Sequence, residues 1–162
     1  RFAIKAENIV TIQQEVEYIK EYATIIEYRF MEHISVEIDV DEEVLQNTII
    51  KLILQPIVEN AVFHGLEQKM GDGEVTVTIR RKLDNYIMLL VTDNGCGMEK
   101  EKVDQLTKSL ENNSTKSKGI GLANIYQRLK LFYGDDIVFE IKSKPGEGTR
   151  VMIVLPDHVE ER

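Results

Sequence analysis

Hydrophobic residues in the first part of the chain recur first with a helical and then with a strand period. Thr11 followed by Gln14 indicates a capping box, which precedes an amphipathic pattern that continues to Arg29. The apolar positions of this pattern are Ile12, Val16, Ile19, Tyr22 or Ala23, and Ile26. They predict a helix that either packs at the edge of a domain or connects it to an upstream helical module. Alternation from Ile34 to Val40 then predicts a half-buried strand.

The middle of the chain predicts a second helix and a hairpin. The pattern from about Ile49 to His64 is again helical but contains Pro56, so the helix either kinks there or its regular part starts later. Apolar residues alternate over 75–79, and residues 86–92 form a further strand-like run. We therefore expect two adjacent strands joined by a tight turn around residues 84–85.

The last third of the chain predicts two helices separated by a loop, and then a second hairpin. Residues 99–110 suit a short surface helix, whereas 108–119 are polar, rich in Asn, Ser and Lys, and predicted to be a mobile loop. A helix is expected over 120–132, and strands over 137–143 and 149–155. This order of elements predicts an α/β (α+β) fold, a two-layer sandwich of a mixed, mainly antiparallel sheet with helices on one face.

Composition narrows the function classes. The chain has 162 residues, a formal net charge of -8 and a pI near 5.0, so it lacks the basic footprint of a nucleic-acid-binding protein. Its most apolar stretch, residues 49–66, is interrupted by polar and charged residues and does not suit a membrane span. One cysteine, Cys96, allows neither an internal disulfide nor a multi-cysteine zinc site.

Two polar clusters suit phosphoryl transfer, although each alone also fits a solvated helix face or a turn. Glu59 and Asn60 are adjacent on a mainly apolar helix, and His64 follows one turn later on the same face. An amide oxygen can ligate Mg²⁺, and a carboxylate can orient or deprotonate a nucleophile. His64 suits either a phosphate contact or a helix-end packing position. The second cluster, residues 93–98, begins with Asp93, which can accept a hydrogen bond from a flat ligand, while Gly95 and Gly97 let that ligand approach.

Two glycine clusters complete the set. At Gly119-Ile120-Gly121 a polar loop runs into a helix, which would place free backbone N–H groups near phosphate oxygens. No Walker lysine accompanies it, and the third glycine of a dinucleotide-binding fingerprint is missing. The other cluster is Gly146-Glu147-Gly148-Thr149, which alone is typical of a hairpin turn.

Taken together and in order, these clusters resemble the ATP-binding fold shared by gyrase, Hsp90, histidine kinases and MutL, the Bergerat-type fold. Within it, Leu54-Gln55-Pro56-Ile57-Val58-Glu59-Asn60-Ala61 with His64-Gly65, and Gly121-Leu122-Ala123-Asn124-Ile125 with Arg128-Leu129, look like the YesM/LytS-like sensor histidine kinases. The resemblance covers essentially the whole chain.

The resemblance implies a role for each site residue. Glu59 would be the catalytic carboxylate, Asn60 the Mg²⁺ ligand, and Asp93 the reader of adenine. Around them, Thr149 would assist in the adenine pocket, Gly95 and Gly97 would shape its adenine end, and Gly119, Gly121 and Leu122 would lie at the phosphate end, with His64 a further ATP contact. ATP and Mg²⁺ are the implied cofactors.

The chain departs from better-known histidine kinases at two positions. Pro56 and Phe63 stand where those enzymes carry an Asn and usually a Lys, so the cation that meets the phosphates is left open between His64, Arg128 and lysines 116 and 118. The available histidines, His33, His64 and His158, lack the Pro-His-Phe setting of the subgroup's acceptor.

The resemblance also implies a domain division and partners. Residues 1–30 would form a connector helix after a phosphoacceptor region, residues 31–158 the ATP-binding catalytic domain, and residues 159–162 a tail. The partners would be the acceptor helix of the same kinase and a response regulator, in a bacterial membrane-bound homodimer with this domain in the cytoplasm. The alternatives are an anti-sigma-factor-like serine kinase and a catalytically silent nucleotide-binding module. A DNA-bound ATPase agrees less well with the acidic charge.

Overall fold

The computed structural model describes residues 8–66, 69, 71–112 and 120–159. The helices are α1 Ile12–Arg29, α2 Leu54–Asn60, α3 Lys100–Asn112 and α4 Ile120–Tyr133. The strands are β1 Ile9–Thr11, β2 Ile34–Val40, β3 Thr48–Ile50, β4 Gly73–Lys82, β5 Tyr86–Asp93, β6 Val138–Lys144 and β7 Gly148–Pro156. A 3₁₀ turn covers Glu42–Val44, and a π-helical segment, Ala61–Leu66, continues α2. Within these ranges, no helix is long and apolar enough to cross a membrane.

The main sheet has the order β2-β4-β5-β7-β6, in which only the β2–β4 pair is parallel. Every second residue of β4 from Gly73 to Ile79, including Val75 and Val77, is buried, so one face of the sheet contributes to the core. The helices supply the other layer of the core. The predicted two-layer fold with a mixed, mainly antiparallel sheet is confirmed.

Helix α1 begins at the predicted capping box, in which the Thr11 hydroxyl accepts from the Gln14 N–H group and the Gln14 side-chain oxygen accepts from the Thr11 N–H group. The apolar stripe of α1 is buried in the common core, and the helix packs on α2 and β2. The structure therefore shows packing on the domain. A connector role for α1, and the domain boundary at residue 30, stay predictions.

The helix predicted from about Ile49 to His64 starts later than Ile49, as one of the two alternatives predicted, and it continues past His64 as a π-helical segment to Leu66. Residues 48–50 form β3, which pairs with β1 in a separate antiparallel ribbon. Regular helix starts only at Leu54, so Pro56 lies in the first turn, where a missing N–H group removes no intrahelical bond. After Asn60 the helix widens into the π-helical segment, an arrangement that often occurs at functional sites.

The predicted loop over residues 108–119 was wrong in its first part. Helix α3 continues to Asn112, because Ser109 and Leu110 are buried in the core. The polar residues around them in the sequence gave no sign of this burial. Residues 113–119, including Gly119, lie outside the described residues. The two hairpins, β4–β5 and β6–β7, were predicted correctly to within a few residues.

Candidate active site

A pocket opens between α2, the carboxyl end of β5, α3 and the start of α4. Its walls include six of the predicted site residues: Asn60, His64, Asp93, Gly97, Leu122 and Thr149. Glu59 and Gly95 are neighbours of lining residues but do not line the pocket themselves. Apolar walls come from Ile57, Val91, Met98, Leu106 and Val151. The pocket thus combines apolar walls with a few polar groups, as small-molecule sites commonly do.

Asp93 is the last residue of β5, and its half-buried carboxylate lies in the pocket wall. Its Oδ1 atom accepts a hydrogen bond of 2.8 Å from the Gly95 N–H group, and the Thr149 N–H group donates to the same carboxylate. Burial raises the pKa of Asp93, while these two donors and the charge of Lys69 act in the opposite direction. A carboxylate fixed by backbone donors is oriented before any ligand arrives.

The two glycines of the Asp93 turn are required by close backbone contacts. A Cβ atom on Gly95 would lie 2.0 Å from the Gly65 carbonyl oxygen, and one on Gly97 would lie 1.9 Å from that of Lys144. Gly97 also has a φ of +68°, a conformation that glycine adopts without the usual steric cost. The glycines therefore let the turn after β5 pack directly against α2's extension and the β6–β7 turn.

Ser143 joins these segments, and sequence analysis missed it. Its hydroxyl group accepts from the Met98 N–H group at 2.8 Å and donates to the Gly148 carbonyl at 2.9 Å. The Ser143 and Thr149 hydroxyl oxygens are 2.8 Å apart, so Thr149 acts as the donor in that pair. Ser143 pairs with Thr149 across β6 and β7, and Thr149 pairs with Asp93 across β7 and β5. Only the sheet register reveals this chain of contacts.

Glu59 and Asn60 are the last two residues of α2. Asn60 is half-buried and lines the pocket, whereas Glu59 is half-buried beside it and accepts a hydrogen bond of 3.1 Å from the Gln55 amide. His64, in the π-helical segment, lines the pocket with an exposed side chain. Asn60 and His64 therefore line the same pocket, and Glu59 is the chain neighbour of Asn60.

Tyr22 of α1 is a second residue that sequence analysis missed, having been counted only as a core position. Burial raises its pKa to about 12, with a further contribution from the nearby charge of Glu59 and an opposing one from Arg29. Its buried hydroxyl group has no hydrogen-bond partner within the described part of the chain. Helix α1 therefore places an uncommitted donor close to the predicted catalytic carboxylate.

At the other end of the pocket, Leu122 in the first turn of α4 is buried in the wall and Gly121 is exposed. Among the described residues, a Cβ atom on Gly121 would meet no atom within 4 Å apart from the backbone of its own helix and its chain neighbours. Arg128, one of the four candidates for the cation that meets the phosphates, donates to the Leu52 and Lys51 carbonyls. Lysines 116 and 118 lie outside the described residues. Lys102 of α3, which sequence analysis missed, is the one lysine or arginine that lines the pocket among the residues described.

No cluster of three or more His, Cys, Asp or Glu side chains suited to a metal ion occurs in the described ranges. Asn60 offers a single hard oxygen ligand at the pocket edge. This donor set fits Mg²⁺, which usually takes one or two protein ligands and completes its shell with substrate phosphates and water.

Comparison with known proteins agrees with this geometry. Residues 45–159 match the family described as histidine kinase-, DNA gyrase B-, and HSP90-like ATPase. The chain is 36% identical over 154 residues to the sensor protein LytS of Oceanobacillus iheyensis, covering 94% of this chain and 26% of LytS. It is 35% identical over 149 residues to the sensor histidine kinase YesM of Bacillus subtilis, covering 92% of this chain and 24% of YesM. The chain thus spans about a quarter of the length of these relatives.

A solved structure shares the fold. The mycobacterial sensor histidine kinase MprB superimposes with a TM-score of 0.62 at 19% identity, and the match covers 94% of this chain and 98% of that one. The chain therefore belongs to the family of histidine kinase-, DNA gyrase B- and HSP90-like ATPases, and it has the fold of the histidine kinase catalytic domains within that family.

Proposed function

We propose that this chain is the catalytic domain of a two-component sensor histidine kinase, and that it transfers the γ-phosphoryl group of ATP to a histidine on an upstream helix. The observation that carries the proposal is that Asp93 and Asn60 line one pocket. One end of this pocket has an oriented carboxylate that suits a base, and the other has an amide oxygen that suits a magnesium-bound phosphate. The sensor kinases among the relatives support the choice of reaction.

Adenine would bind at the Asp93 end. The carboxylate, already held by the Gly95 and Thr149 N–H groups, has acceptor capacity left for the exocyclic amine of adenine. The apolar walls at Ile57, Met98 and Val151 would contact the two faces of the ring. Asp93 would thus select the base, and the walls would supply most of the buried area.

The phosphates would extend towards Asn60 and the start of α4. Asn60 would hold Mg²⁺, which neutralises phosphate charge and orients the γ-phosphoryl group when it is bound. His64 and Lys102 line the same pocket and are the side chains we assign to the remaining phosphate charge. The N–H groups near Gly121 would add donors at the helix start.

Glu59 would act on the acceptor. It lies at the pocket edge, so a histidine arriving from outside the domain could place its ring N–H within reach of the carboxylate. Glu59 would then orient the ring and take up its proton as the phosphoryl group is transferred. Its hydrogen bond from Gln55 leaves the second carboxylate oxygen available for this contact.

The acceptor histidine would be none of the three histidines of this chain and would belong to a separate helix. His33 and His158 are exposed and pair with Asp72 and Asp157, and His64 lines the pocket itself. We further propose that the full-length protein is a membrane-bound homodimer with this domain in the cytoplasm. A response regulator would then receive the phosphoryl group from the acceptor histidine.

The test is transfer from γ-labelled ATP with Mg²⁺. The chain alone should bind ATP but stay unlabelled, whereas a longer version of the protein with its acceptor helix should become labelled on histidine in trans. The label should be acid-labile. Acid-stable label on serine would favour the serine-kinase alternative, and stable labelling of His33, His64 or His158 would contradict the assignment of the acceptor.

Glu59→Gln should lower the rate of transfer by roughly a hundredfold to ten-thousandfold, because the general base is lost. ATP affinity should change little. Glu101→Gln, which neutralises an exposed carboxylate on α3, is the matched control and should keep the wild-type rate. Equal rates for the two variants would remove Glu59 from the mechanism.

A further inference from the structure

Glu15 of α1 is a carboxylate buried in the core of the domain, with 1% of its side chain exposed. One of its oxygens accepts from the Leu52 N–H group at 2.6 Å, and the other accepts from the Leu54 N–H group at 3.2 Å. The Ile53 N–H group also interacts with the carboxylate. A buried carboxylate is costly unless such donors satisfy it, so this position has a specific structural purpose.

The three N–H groups belong to the turn that starts α2. The first N–H groups of a helix have no partner within the helix, and the residue before α2, Ile53, provides no side-chain cap. Glu15 supplies this cap from another helix. Its negative charge also lies at the end of α2 where a helix favours an anion.

Arg128 of α4 holds the same turn through its carbonyl groups. Its guanidinium group donates to the Leu52 carbonyl at 2.8 Å and also to the Lys51 carbonyl. Leu52 has a φ of +61°, which a leucine rarely adopts unless its surroundings impose it. The turn is therefore held on one side by an anion from α1 and on the other by a cation from α4.

This turn determines where α2 sits. Helix α2 has only seven residues, so its two turns are about 10 Å long, and its last two residues are Glu59 and Asn60. Helix α4, which carries Arg128, also places Leu122 in the pocket wall. A shift of the turn would therefore move Glu59 and Asn60 relative to the opposite wall of the site.

We propose that Glu15 and Arg128 form a clamp on residues 51–54 that positions Glu59 and Asn60 for magnesium-dependent phosphoryl transfer, without touching the nucleotide. The inference rests on the proposed function. Residues that orient a metal ligand from behind typically change metal affinity or activity by roughly 10–100-fold when they are substituted. Glu15 and Arg128 are thus positioning residues.

The first experiment compares Glu15→Gln with Val16→Ala, a substitution at the next position that removes core packing on α1 and leaves the turn intact. ATP affinity is measured by calorimetry with Mg²⁺ and with EDTA. The ratio of ATP affinity with Mg²⁺ to ATP affinity in EDTA should be at least about tenfold smaller in Glu15→Gln than in wild type. ATP affinity in EDTA should change by less than about twofold. Val16→Ala should change neither value. Equal behaviour of the two variants would overturn the proposal.

Hydrogen exchange provides a readout that needs no nucleotide. Amides of residues 52–54 should exchange at least about tenfold faster in Glu15→Gln than in Val16→Ala, because glutamine replaces one of the two acceptor oxygens with an NH₂ donor and removes the negative charge. Equal exchange would overturn the clamp. If wild-type protein showed no gain from Mg²⁺, the metal role of Asn60 would be wrong, and the exchange rates would still decide whether Glu15 holds the turn. Should Glu15→Gln not fold, Glu15→Asp gives the same comparison with a carboxylate that is one carbon too short.

A double-mutant cycle tests whether the two side chains act together. Arg128→Lys keeps the charge but cannot bond both carbonyl groups in the same way. Its loss of magnesium-dependent affinity should be less than additive with that of Glu15→Gln, since either change releases the same turn. Full additivity would show that the two residues act separately and would overturn the shared clamp.

Discussion

The end of the pocket that we propose for adenine (the adenine end) and the end that we propose for the phosphates (the phosphate end) are built differently. At the adenine end, Asp93 and the turn after it are held by backbone hydrogen bonds, and glycines allow main chains from β5, β7 and the segment after α2 to touch. At the phosphate end, Asn60, His64 and Lys102 line the pocket, and no described residue outside α4 comes within 4 Å of a Cβ atom on Gly121. The adenine end is therefore held in place by main-chain contacts that form when the protein folds. The phosphate end is formed by side chains from α2, its π-helical extension and α3.

The sharpest test of this difference is a pair of glycine substitutions. Gly97→Ala should destabilise the protein by about 3 kcal/mol or more, because the φ of +68° and the 1.9 Å contact with the Lys144 carbonyl both oppose a side chain. Gly121→Ala should leave stability unchanged or raise it by up to about 1 kcal/mol, since alanine favours a helix. Urea unfolding measures both.

The same pair should separate stability from binding. Gly121→Ala should fold normally and still bind ATP more weakly if phosphate oxygens approach the backbone there. Wild-type affinity in Gly121→Ala would remove Gly121 from the site. A stable Gly97→Ala would mean that the turn after β5 is less constrained than the contacts indicate.

A smaller effect is expected from Asp93→Asn, which tests whether the fixed end reads the base. The ionised carboxylate accepts from the adenine amine but faces a carbonyl oxygen of guanine, so wild type should prefer ATP over GTP by at least roughly tenfold. An asparagine can turn its amide nitrogen towards that oxygen. The variant should bind ATP more weakly and show a narrower preference, as measured by calorimetry with both nucleotides. An unchanged ratio would show that Asp93 does not select the base.

The pH dependence of ATP affinity should reveal the titration of the Asp93 carboxylate. Burial raises the pKa of Asp93 above the ordinary 3.8. Because we propose that ATP binds the ionised form, ATP affinity should fall as pH decreases through the raised pKa. The contribution of Asp93 to the stability of the fold changes with pH in the opposite direction. With the folded-state pKa above the unfolded one, the contribution of Asp93 to stability is fully present below the unfolded pKa and is lost as pH rises through the folded one.

Both pH effects are isolated by subtracting the profile of Asp93→Asn, because other carboxylates titrate in the same range. The ATP affinity of wild type relative to Asp93→Asn should increase from mildly acidic to neutral pH. The free energy of unfolding of wild type relative to Asp93→Asn should decrease over the same range. Parallel profiles for the two proteins would contradict the assignment of Asp93.

The smallest expected effect concerns the phosphate end. Lys102→Gln should weaken ATP binding by roughly two- to fivefold, the range expected for an exposed ion pair, and should affect adenosine less than ATP. Lys100→Gln on the same helix is the control, since Lys100 is exposed and does not line the pocket. Added salt should reduce the difference between wild type and Lys102→Gln. Equal losses for ATP and adenosine would place Lys102 away from the phosphates.

The sequence predicted the fold well where a pattern was long enough. The alternating runs of β4 and β5 and the capping box of α1 are local signals, and each was recovered. The three-residue strand Thr48–Ile50 carries no usable period, and its identity depends on pairing with residues 9–11. Those neighbours are distant in the chain, so a local pattern could not reveal them.

The site shows the same limit. Asp93 was predictable because a strand, an acidic residue and glycines follow one another directly. Ser143 and Glu15 were not, because an isolated serine in a strand and a glutamate in a first helical turn usually face solvent. Their importance comes from the Met98, Leu52 and Leu54 backbone groups that folding brings to them.

The pairing of Asp93 with Thr149 also has a consequence for how the protein folds. Each belongs to a hairpin with a short turn, and such hairpins form on a timescale of about 1–10 μs. Joining β5 to β7 requires closure of the long intervening segment that contains α3 and α4, and this entropic cost is met before the new contacts are gained. We therefore expect the two hairpins to form early and the seam between them late. Nucleotide would recognise only chains in which that seam has closed, so it should slow unfolding more than it speeds folding.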